Sequence, residues 1–198
     1  MLEDGLHAVP AGHTASVVTH LQMLEEAPQR PEADLPLSLR RIEHPDPDWY
    51  LGLFRKVGEP WLWFGRLVMP HDALVDLLRD AAVHVYAVRD KARDEVGLLE
   101  LDFRETGACE LAYFGLVPGA VGGGAGRWMM NRAIRLAWAQ EISRFHVHTC
   151  TLDHPAALAF YHRSGFMPYA REIEIAPDPR LTGLIPEAAA PHVPLIRG

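Results

Sequence analysis

The residues from Val117 to Met130, VPGAVGGGAGRWMM, have the composition of an anion-binding turn. Three consecutive glycines, and a fourth two residues later, come just before a helix-forming run that starts at Arg127. Because each glycine inside a helix costs about 1 kcal/mol relative to alanine, the glycines are predicted to mark the start of a helix. Free N–H groups and the positive dipole end at such a start suit a phosphate, although a plain flexible turn has the same composition.

Two common phosphate-binding patterns do not fit this stretch. A dinucleotide-binding loop requires glycines at i, i+2 and i+5, and here Gly122 and Gly124 are followed by Arg127 at the third position. A nucleoside-triphosphate loop requires Gly-Lys-Ser/Thr, whereas Gly124 is followed by Ala125 and Gly126. The anion of this loop is therefore of another kind.

The glycine stretch resembles the pyrophosphate loop of the GNAT superfamily of acyl-CoA-dependent N-acetyltransferases. That loop has the pattern Arg/Gln-x-x-Gly-x-Gly/Ala and starts three residues after a Pro-like position that ends a strand. Here Pro118 is followed three residues later by Val121, and Gly124 and Gly126 match the two glycines. Val121 replaces the usual Arg or Gln, and Arg127 could compensate in part for the missing side chain.

A second block supports the same resemblance. The family pattern Asn-x-x-Ala-x-x-Leu-Tyr-x-x-x-Gly-Phe is similar to HPAALAFYHRSGF, in which the matching residues are Ala157, Tyr161, Gly165 and Phe166. His154 stands where the family has Asn, and Phe160 where it has Leu. The two blocks occur in the family order, separated by a predicted helix and strand.

The resemblance implies acetyl-CoA as co-substrate and a set of residues that bind it. Main-chain amides of the loop would hold the diphosphate, because only a turn without side chains lets an anion approach them. Backbone groups of the preceding strand would bind the pantetheine arm, and one of their N–H groups would polarise the thioester carbonyl. The implied cofactor-binding residues are Phe114, Leu116, Val121, Gly122, Gly123, Gly124, Ala125, Gly126, Arg127 and His154.

Tyr161 matches the residue that protonates the coenzyme A thiolate in the family. A phenol with an ordinary pKa near 10 is a reasonable donor to an alkyl thiolate. The alternative is an aromatic helix residue packed in the core. The resemblance favours the acid role.

Glu110 is the candidate general base, because it has the strand register of a catalytic Glu in the histone-type members. It lies six residues before Leu116, and the even separation predicts the same sheet face as Phe114 and Leu116 unless a bulge intervenes. Burial among its apolar strand neighbours is expected to raise its pKa. The alternatives are a solvated carboxylate at the strand end and a proton relay through water.

Two further groups of residues allow more than one interpretation. His146, His148 and Cys150 share a predicted strand face, but neighbours on one face are almost 7 Å apart and diverge, so no metal site is predicted. A channel lining or core packing is expected instead. The aromatic stretch WLWF at 61–64, with Trp49 and Tyr50, could line an acceptor pocket or pack in the core.

The hydrophobic patterns predict strands and helices in alternation, with three antiparallel strands in succession. The resemblance implies the α/β (α+β) class and the GNAT acyl-CoA N-acyltransferase fold, with a mixed, mostly antiparallel central sheet flanked by helices. Residues 1–35 form an N-terminal extension with a short strand over 14–21 and a Pro-rich connector. Residues 36–176 form the N-acetyltransferase domain, and a Pro-rich tail at 177–198 is expected to lie over the surface. The predicted strands span 37–42, 83–88, 96–103, 109–117, 145–151 and 166–175, and the predicted helices follow Asp46, Pro70 and the glycine stretch and span 155–163.

Composition narrows the functional class further. A net charge of −7 argues against nucleic-acid binding, and no apolar run approaches the length of a membrane span. Two cysteines and an N-terminus without signal-peptide character predict a cytoplasmic protein. The resemblance carried by the glycine and Tyr161 blocks implies an acetyltransferase that transfers acetyl from acetyl-CoA to an amine of a small molecule or peptide by direct attack. A catalytically silent acyl-CoA sensor is the alternative, and a homodimer stays open.

Overall fold

A computed structural model describes residues 3–197 of the chain. Met1 and Leu2 of the predicted extension and Gly198 of the predicted tail lie outside the described residues. The strands are β1 (His13–Met23), β2 (Ser38–Ile42), β3 (Val83–Arg89), β4 (Glu95–Asp102), β5 (Ala108–Leu116), β6 (Arg144–Cys150) and β7 (Met167–Pro177). The helices are α1 (Pro47–Gly58), α2 (His71–Arg79), α3 (Ala125–Trp138) and α4 (Ala157–Arg163).

Within the described residues, the strands form a single sheet in the order β2-β3-β4-β5-β6-β1-β7. All neighbouring strands run antiparallel except β5 and β6, which are parallel. Helices cover both faces, so the predicted fold class is confirmed. One core lies between the sheet and α3 and α4, and the other lies between the sheet and α1 and α2.

Local sequence signals account for some of the helix boundaries. The side chain of Asp46 accepts hydrogen bonds from the N–H groups of Asp48 and Trp49, and Pro47 occupies the first turn of α1. At the end of α4, Gly165 adopts φ = 102°, a conformation that favours glycine and stops the helix. Helix α4 begins two residues after the predicted start at Pro155, because Ala156 donates its N–H to His154 Nδ1 in a preceding turn.

The strand predicted over residues 14–21 is longer in the structure and lies inside the sheet. β1 pairs along its length with β7 and over residues 18–23 with β6. Leu21 and Met23 point into the core beneath α3, whereas Val18 lies on the opposite face. Residues N-terminal to the predicted domain boundary at 36 therefore contribute a strand to the same sheet as residues 38–177, and the boundary itself stays a prediction.

The tail after β7 folds back as a packed segment. Asp178 and Arg180 form a buried ion pair with an N–O distance of 2.7 Å. Arg180 also donates to four tail carbonyls, those of Ala189, Ala190, Val193 and Pro194. Ile185 is buried with Leu62, which links the tail to the segment after α1. None of the helices within residues 3–197 is long and apolar enough to cross a membrane.

The inserted position of β1 generates a stability prediction. Leu21→Ala should lower the free energy of unfolding by about 2 to 5 kcal/mol, because Leu21 is fully buried and its loss leaves a cavity. The matched control Leu24→Ala, at an exposed position just after the strand, should change it by less than about 0.5 kcal/mol. Urea denaturation measures both values. Equal effects of the two substitutions would contradict the insertion of β1 into the sheet.

Candidate active site

The glycine turn before α3 has a backbone that only glycine adopts readily. Gly122, Gly123 and Gly124 have φ angles of 102°, 56° and 93°. Gly124 is the N-cap residue of α3, and no side chain caps this helix. The prediction that the glycines precede a helix is confirmed, with Gly126 in its first turn.

The N–H groups of this turn are uncovered. A Cβ atom added at Gly122, Gly123 or Gly124 would meet no atom within 4 Å, so no side chain fills the space above them. Among residues 3–197, the amides of Gly123, Gly124, Gly126 and Arg127 have no hydrogen-bond acceptor. The turn therefore presents several free donors at the positive end of the α3 dipole.

Three arginines surround the same turn. Arg30, Arg127 and Arg163 all line the cleft that starts here, and none forms a salt bridge in the described part of the chain. Burial and then the nearby Arg127 and Arg163 charges lower the pKa of Arg30. Three cations without a carboxylate partner at one helix N-terminus attract negative charge to this end of the cleft.

The chain holds Arg30 at this site through α3. The Asn131 side chain accepts the Arg30 N–H at 3.3 Å and donates to the Arg30 carbonyl at 2.8 Å. Arg127 donates to the Pro31 carbonyl at 2.7 Å, so the connector is fixed on both sides. Arg30 and Arg163 were not predicted from the sequence, because Arg30 lies in a Pro-rich connector without periodicity and Arg163 occupies a position that the second block leaves unspecified.

A cleft leads from the glycine turn into the sheet. β5 and β6 pair only over Ala108–Glu110 and Arg144–His146 and then separate. The space between them belongs to a cleft of about 520 Å³. Its walls include the glycine turn at one end and Trp63 and His148 at the other.

Tyr161 lines this cleft on the α4 side. Its ring lies 6.3 Å from that of Phe114 and 5.9 Å from that of Phe166. Its hydroxyl makes no hydrogen bond within residues 3–197, and burial followed by the Asp153 charge raises the pKa of Tyr161 far above 10. The phenol therefore keeps its proton in the cleft at neutral pH.

Strand β5 contains a β-bulge, which the sequence analysis had allowed for but not predicted. Tyr113 pairs with Glu100, whereas Leu111 pairs with Leu101, so Ala112 is an extra residue on β5. The extra residue reverses the alternation of side chains along the strand.

The bulge corrects the predicted face of Glu110. Phe114 and Leu116 pack in the core with α3 and α4, and Cys109, which flanks Glu110, belongs to the same core. Glu110 therefore points to the opposite face, together with Tyr113, because the bulge lies between the two parts of the strand. Its partner there is His148, whose Nδ1 lies 3.2 Å from Glu110 Oε1.

The same contact corrects the expected pKa of Glu110. The hydrogen bond from His148 lowers the pKa of Glu110 below its ordinary value, and this effect outweighs the burial that would raise it. Conversely, Glu110 raises the pKa of His148, again against the effect of burial. The two side chains thus stabilise each other's charged forms.

Other predicted site residues lie along the cleft. Leu116 and Gly122 line it, and Val121 does so with half of its side chain exposed. His154 lines it and contacts the Trp61 ring edge-on, with 5.0 Å between ring centroids. Ala125 is buried at the start of α3, as a helix residue of the core.

The aromatic stretch 61–64 divides between the two predicted roles. All four residues line the cleft, and Leu62 is at the same time buried in the core formed with the tail. The Trp63 indole donates to Asp153 Oδ1 at 3.1 Å. Tyr50 is fully buried and donates to Glu100, which also accepts from Arg66.

The three polar side chains of β6 point to different partners. His146 Nε2 lies 3.5 Å from Glu105 and His148 contacts Glu110, whereas Cys150 is a free thiol. Within residues 3–197, no group of three or more His, Cys, Asp or Glu side chains has the arrangement of a metal site.

Comparison with solved structures identifies the fold. The chain is similar to spermidine N-acetyltransferase from Vibrio cholerae in complex with CoA and spermine, with 23% identity, a TM-score of 0.54, and coverage of 68% of this chain and 83% of that one. An aminoglycoside acetyltransferase from an uncultured soil metagenomic sample matches with 17% identity, a TM-score of 0.52, and coverage of 65% and 87%.

A third match is larger than this chain. A GCN5-related N-acetyltransferase from Sphaerobacter thermophilus has 12% identity and a TM-score of 0.57 over 83% of this chain. The chain spans only 53% of that structure and 63% of a functionally unknown conserved protein from Staphylococcus epidermidis. At these identities the likeness concerns the fold.

Sequence comparison identifies the family. No curated protein matches the chain. The model of the acetyltransferase (GNAT) family matches residues 38–166, which include both the glycine turn and the Tyr161 block. The match confirms the resemblance noted from those two motifs, and since it covers more than half of the chain, the protein belongs to the GNAT acetyltransferase family.

Proposed function

We propose that the protein transfers an acetyl group from acetyl-CoA to the amine of a small cationic molecule by direct attack. The observation that carries the proposal is the continuous cleft that joins the uncovered amides before α3 to Tyr161 and His148. Such a cleft can hold a long thioester carrier with its phosphates at one end and its sulfur at the other. The family uses acetyl-CoA, which supports this donor.

The glycine turn and the three arginines form the phosphate end of the proposed site. Free amides of Gly123 and Gly124 would donate to the diphosphate, and no side chain obstructs its approach. Arg30 and Arg163 supply positive charge that Val121 cannot, since Val121 stands where the family has Arg or Gln. This arrangement favours a coenzyme A site over a plain turn.

The separated strand β5 forms the middle of the site. Beyond Glu110 this edge of β5 has no strand partner, so backbone groups near Phe114 and Leu116 face the cleft. These groups can form hydrogen bonds with the amides of the pantetheine arm, which would then occupy the place of a neighbouring strand. An N–H group there can also polarise the thioester carbonyl, because it lies in a cleft with apolar walls.

Tyr161 is proposed as the acid that protonates the thiolate. Its phenol is protonated, lines the cleft and has no other hydrogen-bond partner in the described part of the chain. A proton on the departing sulfur prevents the reverse attack on the new amide. His154, on the turn before the same helix, would contact the cofactor nearby.

The far end of the cleft suits a cationic acceptor. Glu174 and His148 line this end of the cleft. Glu110 does not line it but contacts His148. Trp61, Trp63 and Phe64 add aromatic faces that attract cations. Solved relatives include enzymes named for spermidine and aminoglycosides, which carry several amines. The proton of the acceptor amine is proposed to leave through the Glu110–His148 pair.

The silent-sensor alternative predicts cofactor binding without transfer. Its basis is Val121 and His154, two departures from the family motifs. Thiol release from acetyl-CoA over a panel of polyamines, aminoglycosides, amino acids and peptides separates the two functions. Thiol release that depends on an amine supports the enzyme, whereas tight binding without release supports the sensor.

Acetyl-CoA binding tests the phosphate end. Calorimetric titration should show binding, and Arg30→Met should weaken it by roughly tenfold, the effect of losing one charge-assisted contact. Arg79→Met, at an exposed position at the end of α2, should leave the affinity unchanged. Absence of binding at millimolar acetyl-CoA would overturn the proposed function, and equal affinity of the two variants would remove Arg30 from the site.

Turnover tests the acid role. Tyr161→Phe should lower kcat on the order of a hundredfold while acetyl-CoA affinity stays nearly constant, because the hydroxyl acts only on the leaving sulfur. Tyr169→Phe, on the exposed strand β7, serves as the matched control and should retain wild-type kcat. Thiol release under saturating acetyl-CoA gives both values. A Tyr161→Phe enzyme with wild-type kcat would exclude Tyr161 from the mechanism.

A further inference from the structure

Of the Glu110–His148 pair, the cleft wall carries the histidine and not its carboxylate partner. His148 lies on β6 beyond the last residue that pairs with β5, and its side chain is 51% exposed. It lines the cleft, whereas Glu110 is not among the residues that do. Of the two paired side chains, His148 is therefore the one that an incoming amine meets first.

The contact with Glu110 favours one tautomer of His148. An ionised carboxylate only accepts hydrogen bonds, so the Glu110 Oε1 atom 3.2 Å away favours the ring proton on His148 Nδ1. In the neutral ring the lone pair then lies on Nε2, and the contacts of the His148 ring within residues 3–197 are the Glu110 contact through Nδ1 and the His20 ring. A free imidazole lone pair at the wall of an open cleft can accept a proton.

The charges around His148 stabilise its protonated form. Three carboxylates from different parts of the chain lie around His148, and two histidines lie nearby. These groups are Glu110 on β5, Asp153 after β6, Glu174 on β7, His20 on β1 and His146 on β6. Asp153 is already bound by Trp63, Thr149 and the Cys150 amide, which leaves Glu110 as the direct partner. The hydrogen bond that Glu110 accepts from His148 is the largest effect and raises the pKa of His148 above its ordinary value.

We propose that His148 is the general base of this enzyme and that Glu110 is a positioning residue that acts through it. The inference rests on the proposed acetyl transfer. Nε2 of His148 takes a proton from the ammonium group of the acceptor, and the freed nitrogen attacks the thioester carbonyl carbon. As the N–C bond forms and the C–S bond breaks, sulfur takes the Tyr161 proton. The nitrogen's second proton restores the phenol, and His148 releases its proton to solvent.

The proposal assigns different effects to His148 and Glu110. In the wild-type enzyme, kcat/KM should fall as the pH drops through the His148 pKa, because protonated imidazole cannot accept a proton. Glu110→Gln should keep this acidic limb but move its midpoint to lower pH, because the charge that stabilises the imidazolium is gone. His148→Gln should remove the limb and lower kcat/KM on the order of a hundredfold.

The experiment measures kcat/KM from pH 5 to pH 9 for wild type, Glu110→Gln, His148→Gln and the control His146→Gln. His146 shares the strand and face of His148 but pairs with Glu105, so its substitution should leave the profile unchanged. In the wild-type protein, the pKa of the His148 ring measured by NMR titration should equal the midpoint of the acidic limb of kcat/KM. In Glu110→Gln, this pKa should decrease by the same amount as the kinetic midpoint.

The outcomes separate this inference from the proposed function. A limb that survives His148→Gln and disappears in Glu110→Gln would make Glu110 the direct base and overturn the His148 assignment alone. A limb unaffected by either substitution would also overturn it, while acetyl transfer itself stands. A wild-type protein that binds acetyl-CoA and acetylates no amine would overturn both proposals.

Discussion

The separation of β5 from β6 is the constraint on which the rest of the candidate site depends. Two parallel strands that stay paired satisfy each other's backbone groups, but here pairing ends after Glu110 and His146. The divergence leaves backbone donors and acceptors of β5 facing a cleft, and it places β6 side chains along the opposite wall. An extended ligand with its own amides is the natural partner for such an edge. The bulge at Ala112 lies in the same stretch and turns Glu110 away from the Phe114 face.

The two ends of the cleft carry opposite charges. Its α3 end has free amides, a helix dipole and three arginines, whereas its far end has Glu174 and the Glu110–His148 pair. A chain with a net charge of −7 thus concentrates positive charge where an anion would lie. The cationic end depends on the connector after β1, because Asn131 fixes Arg30 there. The segment before the family match therefore contributes to both the sheet and the candidate site.

The parts of the structure that follow from local chemistry could be predicted from the sequence. The Asp46 cap, the glycine turn, the alternating strands and the block around Tyr161 each depend on neighbours in the chain. The contacts that could not be predicted join distant residues. The bulge at Ala112 has no glycine or proline to mark it, and Arg30 reaches α3 across 101 positions through a backbone contact with Asn131. The Glu110–His148 pair forms only because α3 connects β5 and β6 so that they lie side by side. Because of this pair, the pKa of Glu110 is lowered and not raised as the sequence predicted.

The place of β1 in the sheet has a consequence for the order of folding. β1 precedes both of its partners in the chain, and its pairs with β7 join residues separated by about 150 positions, as His20 and Ala170 are. Contacts between such remote segments form slowly, because a long loop must close first. During synthesis on the ribosome, β1 emerges with two open edges and cannot be enclosed until β7 has been made. β1 therefore gains its full set of strand partners only after every other strand of the sheet has been synthesised.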